Sequence, residues 1–135
     1  MINVLISGDS RYPLNRKLVK AAVVETLAAN KSSEMDAEVS VRVVGKRKMK
    51  MLCDKYMKDG ILHDVLSFPL EEIEQKNAAF VNPPGGVLFL GDIVLCWPEI
   101  LISAARADVM VDQEVYDLVC HSVEHLLGRH HESSD

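Results

Sequence analysis

The chain has no CxxC pair, and its three cysteines, Cys53, Cys96 and Cys120, are odd in number and far apart. That argues against a cysteine-built zinc site or a disulfide framework, and for reduced thiols in a cytoplasmic protein. Hydrophobic residues make up 48% of the chain, yet no run of them approaches the length of a membrane span, so no membrane partner is expected. The opening stretch Met1-Ile2-Asn3-Val4-Leu5-Ile6-Ser7 lacks the basic flank and long apolar region of a signal peptide. There is no repeat, no linker and no low-complexity segment. At 135 residues the expectation is one domain, 1–135, able to bury a core without staples.

Excess positive charge is also missing, since the net formal charge is −5, but the charge is unevenly placed. Between Arg42 and Lys58 lie seven basic residues (Arg42, Lys46, Arg47, Lys48, Lys50, Lys55, Lys58) and the single acid Asp54. This segment is locally +6, which leaves −11 on the rest of the chain. A basic segment on an acidic body is an electrostatic footprint for a polyanion. The same pattern also fits an ordinary solvated helix face, and charge alone does not separate the two.

Periodicity supplies the elements. Residues 2–7 alternate as a first strand. Leu14, Leu18, Ala21, Ala22, Leu27 and Ala28, with Val24 less regularly, predict an amphipathic helix to Ala29, with Pro13 at or before its first turn. Residues 30–33 read as a loop. Val39, Val41 and Val43 share one face of a strand from Glu38 to Val44, which Gly45 ends. Residues 46–57 form a helix with Met49, Leu52, Cys53 and Tyr56 facing inward, and Asp59-Gly60 turns. Val65 to Phe68 is a short strand closed by Pro69. Asn82-Pro83-Pro84-Gly85-Gly86 is a loop, and Val87 to Cys96 is a strand interrupted at Gly91-Asp92. Helices at about 98–107 and 111–127 complete an α+β chain, a mixed sheet with helices mainly on one side.

Four of the five histidines fall in the last fifteen residues, three of them as His121-x3-His125-x5-His131 with Gly128 between the second and third. Histidines four apart share a helical face, so both imidazoles can reach one ion. A third ligand six residues on requires the helix to stop and the chain to fold back, and Gly128 tolerates the left-handed conformation of such a stop. His130 is the alternative third ligand, though the longer spacing with glycine in the loop favours His131. Three neutral imidazoles with no fourth protein ligand describe an open, catalytic type of zinc site. One class of zinc proteases uses this spacing, but the glutamate expected after the first histidine is Ser122. Glu124 projects away from the apolar arc of Val111, Val115, Leu118, Val119 and Leu126, and reads as a surface charge rather than a base.

Three blocks taken together, Asp64-Val65-Leu66-Ser67-Phe68-Pro69, Leu90-Gly91-Asp92-Ile93-Val94-Leu95-Cys96 and His121 to His131, resemble the bacterial YbeY family. These are metal-dependent endoribonucleases also described as ribosomal RNA maturation factors. The resemblance implies a zincin-like fold with its metal site on the C-terminal helix, and one Zn2+ per chain held by His121, His125 and His131. It further implies action on single-stranded RNA, including small-subunit ribosomal RNA, association with the small ribosomal subunit, and a role in ribosome quality control. The three histidines act through the metal, and Lys58 and Ser67 join them as catalytic candidates. Lys46, Arg47, Lys48, Lys50, Lys55 and Lys58 are the RNA-binding candidates. Ser67 and Asp92 interrupt apolar strands and are cleft-lining or ligand-supporting candidates, with a strand-end hydrogen bond and a bulge as the plainer alternatives. The chain departs from the family pattern at Met57, where an RNA-contacting arginine usually follows the tyrosine, here Tyr56. His63 stands for the usual threonine, and Ser122, Glu124, Arg129 and His130 stand for Gly, Leu, Tyr and Asp. A lysine nearby would not reproduce a bidentate guanidinium grip on phosphate. An RNA-binding assembly protein with weak or no nuclease activity, and a metallopeptidase, are the competing readings.

Overall fold

Alternating Val, Ile and Leu pair four segments into a mixed sheet in the computed structural model, which describes residues 1–30, 36–70 and 87–128. The elements are β1 (Ile2–Gly8), α1 (Arg16–Ala29), β2 (Ala37–Val44), α2 (Lys46–Tyr56), β3 (Val65–Pro69), β4 (Leu88–Cys96), α3 (Trp97–Ala107) and α4 (Val111–Leu126). Strand order is β1-β2-β4-β3, with β1–β2 and β2–β4 parallel and β3 antiparallel to β4. This is the α+β order expected from the sequence. The loop residues at 31–33 and 82–86 lie outside the described residues.

Strand parity assigns each face its cover. Val39, Val41, Val43, Ile93 and Leu95 meet α1, α3 and α4 in the larger core. Val44, Leu66, Val94 and Cys96 point the other way, where α2 covers them with Met49 and Cys53. Among the described residues three helices lie on one face and one on the other, the asymmetry anticipated. In α1 the buried stripe is Val19, Ala22, Val23, Thr26 and Leu27, with Leu18 packed beside it; Leu18, Ala22 and Leu27 are as expected, while Val24 and Ala28 face outward. Its N-cap is Asn15, whose side chain accepts from the Leu18 N–H at 3.1 Å, so Pro13 lies outside the helix.

The interruption in β4 is a bulge. Glu38 pairs with Phe89 and Val39 with Gly91, so Leu90 is the extra residue. Both Leu90 and Ile93 thereby reach the larger core, while Asp92 turns to the α2 face. Gly91 permits this at φ +148°, and a Cβ there would sit 2.3 Å from the Phe68 carbonyl oxygen and 2.9 Å from Leu126 Cδ2. The first contact is with backbone and cannot yield cheaply. Gly91→Ala is therefore expected to lower the unfolding free energy by about 2–4 kcal/mol, from overpacking added to strained φ. Urea denaturation measures it, and an unchanged midpoint would contradict this close approach of β3 and α4.

Candidate metal centre

Helix α4 is anchored through Val115, Val119, Ser122, Val123 and Leu126, all buried. That orientation turns His121 outward and leaves His125 half-buried, on one face about 40° apart in projection. Ser122, in the place of a zinc peptidase's general base, is only 3% exposed and lies in the core. The Glu124 expected at the surface is half-buried.

The helix ends as its sequence requires. Leu127 N–H donates to the Val123 carbonyl at 3.0 Å and Gly128 N–H to the His125 carbonyl at 2.9 Å. Gly128 itself adopts φ +77°, the left-handed stop that turns the chain. His130 and His131, the competing third ligands, lie beyond it and outside the described residues. Among the described residues no three His, Cys, Asp or Glu side chains converge on one point.

A contact from β3 supplies the test of fit. Ser67 Oγ is hydrogen-bonded to His125 Nδ1 across 58 positions of sequence. A neutral histidine that ligates a metal through Nε2 carries its proton on Nδ1 and donates it to an oxygen behind the ring. Ser67 is placed to accept that proton, fixing tautomer and ring orientation together. The pair of histidines, the turn after them and the oxygen behind His125 fit an imidazole-bound zinc.

Upstream on α4 the environment is acidic. Burial, then the charges of Asp64 and Asp117, push the Glu114 carboxyl above its ordinary value. Asp64 accepts a hydrogen bond from Ser103 Oγ at 2.9 Å. The three cysteines are free thiols, and burial raises that of Cys96.

The basic residues are not gathered at the histidines, because α2 packs on the opposite face of the sheet. Two of them are engaged: Lys46 Nζ lies 3.9 Å from Glu99 and Lys50 Nζ 3.4 Å from Asp54. Lys55 Nζ sits 5.1 Å from the centre of the Tyr56 ring. Arg47 and Lys48 are exposed, and Lys58 takes a left-handed φ of 54° just beyond the helix. Tyr56, expected inward, is 53% exposed and meets Phe68 edge-on with ring centres 5.1 Å apart. Met57 caps the helix and is 44% exposed. The two halves meet at β3, whose Ser67 contacts the histidine helix while its neighbour Phe68 contacts the basic one.

Sequence pattern alone does not reveal the cleft on this second face, about 520 Å3, to which Ser40, Arg42, Lys48 and Asp92 contribute. A signal was present: Ser40 and Arg42 are the polar alternates of Val39, Val41 and Val43, on a face that a fully buried strand would fill with apolar residues. Ser40 Oγ donates to Asp92 Oδ1. Asp92 is thus both the product of a bulge and a cleft-lining group.

No helix among the described residues is long and apolar enough to cross a membrane. A family model described as Endoribonuclease YbeY matches residues 9–135. The Endoribonuclease YbeY of Dehalococcoides mccartyi is 30% identical over 138 residues, spanning 98% of this chain and 86% of its own. That of Roseiflexus castenholzii is 33% identical over 132 residues, spanning 98% and 80%. That of Thermodesulfovibrio yellowstonii is 37% identical over 97 residues, spanning 72% and 55%. A Thermotoga maritima protein solved in solution shares the fold, with a TM-score of 0.56 at 22% identity over 91% of this chain and 71% of that one. The matched span, the relatives and the shared fold agree: this chain belongs to the Endoribonuclease YbeY family.

Proposed function

We propose that this chain is a zinc-dependent endoribonuclease that cuts single-stranded RNA, acting in small-subunit ribosomal RNA maturation and ribosome quality control in the cytoplasm. The observation that carries the reading is the His121–His125 pair with Ser67 hydrogen-bonded behind His125, at a helix end that Gly128 turns. RNA as substrate comes from the relatives' name. His121, His125 and His131 would hold the metal, which when bound supplies a Lewis acid able to polarise a phosphoryl oxygen and acidify water. Ser67 holds the His125 ring in one tautomer. Lys58, Lys55, Arg47 and Lys48 attract and position the RNA backbone, a contribution that matters more because Ser122 offers no general base.

The test is cleavage of a single-stranded RNA oligomer by protein of known zinc content, with and without chelator. Loss of cleavage on chelation and its return with zinc support the reading; undiminished cleavage in metal-free protein refutes the zinc dependence. The basic helix makes a separate prediction. Charge reversal of Lys46, Arg47 and Lys48 together is expected to weaken RNA binding at least tenfold for all sequences, with zinc content unchanged. RNA affinity of the native chain is expected to fall steeply with salt through counterion release. Affinity indifferent to both changes would make α2 an ordinary solvated helix.

One departure favours a second reading. Met57, exposed where the family pattern has an arginine, removes a bidentate phosphate contact. A chain lacking it could serve on the small ribosomal subunit as an assembly-binding protein with weak or no nuclease activity.

A further inference from the structure

The cleft beneath α2 holds a carboxylate at a place where RNA-backbone binding would not want one. Its floor is two cross-strand rows. One runs Leu5–Ser40–Asp92–Phe68 and the other Ser7–Arg42–Val94–Leu66. Helix α2 covers the second row near Leu66 and Val94 with Met49 and Cys53. Its stripe Lys48–Leu52–Tyr56 forms the wall above the first row. Cations therefore stand at Arg42 and Lys48, aromatic rings at Tyr56 and Phe68, and an acceptor at Asp92. Arg42 and Lys48 also line an adjoining concavity of about 360 Å3 beside Gly45, so their charge extends past the cleft.

Each feature restricts the occupant. Asp92 repels a bare phosphate, while Arg42 and Lys48 repel a cation. Ser40 donates to Oδ1 of Asp92 and so holds the carboxylate in place, and Oδ2 accepts from no described residue. A carboxylate is acceptor-only, so it selects a partner with N–H groups. Tyr56 is 53% exposed as a residue and borders the cleft with its ring, which meets Phe68 edge-on and has Lys55 Nζ 5.1 Å from its centre, leaving aromatic surface on which a base can stack. A flat, neutral, donor-bearing ring with an anion attached satisfies all of these, and a volume of about 520 Å3 accommodates it.

We infer that this cleft binds one nucleotide of the RNA on the sheet face opposite the histidines, with Asp92 reading the base and Arg42 and Lys48 holding its phosphate. Guanine is the preferred base, because its N1–H and N2–H present two adjacent donors to two carboxylate oxygens. Uracil is disfavoured, since its single donor on that edge, N3–H, lies between two carbonyl oxygens that would face Asp92 unpaired. The strand would cross β3 from this cleft to the histidines, since Phe68 borders one and Ser67 the other. The inference rests on the proposed action on RNA but not on the zinc.

The test compares binding of an eight-nucleotide oligouridylate with the same oligomer carrying a single internal guanosine, using zinc-loaded protein. The native chain is expected to bind the guanosine oligomer on the order of tenfold more tightly, the discrimination of one bidentate base contact. GMP is expected to compete for it and UMP not. Asp92→Asn is expected to bring the two oligomers within about threefold of each other, and Arg42→Ala to weaken both alike. Equal affinity for the two oligomers in the native chain overturns the inference without any variant, as does a preference that survives Asp92→Asn. If the native chain cuts RNA without base preference, base reading fails while the nuclease reading stands. Failure to bind either oligomer would remove both.

Discussion

Purified protein is expected to carry about one zinc per chain, and His121→Ala, His125→Ala and His131→Ala are each expected to lose most of it together with all measurable RNA cleavage. A three-imidazole site has no spare protein ligand, so removing one leaves two, too few to hold the ion against solvent. The substitutions at His121 and His125 are not expected to unfold the chain, because His121 is exposed and His125 half-buried while the buried face of α4 is untouched. Circular dichroism checks that point and metal analysis checks the rest. Ser67→Ala is expected to weaken zinc about tenfold to a hundredfold without abolishing it, the usual cost of removing the group behind a ligating imidazole. Full zinc in His131→Ala with loss in His130→Ala would move the third ligand by one residue. Zinc retained in His121→Ala would remove the metal centre from α4 altogether.

Met57→Arg is expected to raise RNA cleavage about tenfold to a hundredfold. A charge-assisted hydrogen bond to phosphate is worth roughly 1.5–3 kcal/mol, and, with the RNA crossing β3 between α2 and the histidines, a contact formed mainly in the transition state appears in the rate. Met57 sits at the end of α2, on a different element from the histidines, and is 44% exposed, so an arginine fits without repacking. Single-turnover rates at matched zinc occupancy are the measurement. A gain in rate with unchanged metal identifies an RNA enzyme weakened by one lost contact. If neither protein cuts single-stranded RNA while both bind zinc and small ribosomal subunits, the assembly-protein reading replaces the nuclease one.

The range of an interaction sets whether it is legible in the sequence. The histidine pair, the Gly128 stop and the alternation of β2 are local patterns, set by 3.6 or 2 residues per repeat, and they stand in the sequence directly. The α1 stripe is legible in part: Leu18, Ala22 and Leu27 pack as expected, but apolar positions on both flanks let tertiary packing bury Val19 and Val23 and leave Val24 and Ala28 outside. Tyr56 has the spacing of a buried residue, yet α2 extends past the apolar floor and leaves the ring at the cleft. The break at Gly91-Asp92 was visible, but the side taken by Asp92 depends on Leu90 being skipped in the pairing with β2.

Local pattern is enough for the set of elements, their order, and a helix end that presents two imidazoles on one face. Family resemblance added the expected metal and substrate. Strand pairing is needed to put Ser67 behind His125, to set the basic helix and the histidine helix on opposite faces of one sheet, and to gather Ser40, Arg42 and Asp92 in a cleft. Those facts depend on strand order and register, which arise from pairing between residues tens of positions apart. A one-residue change in register exchanges the two faces of a strand while leaving the local composition as it was.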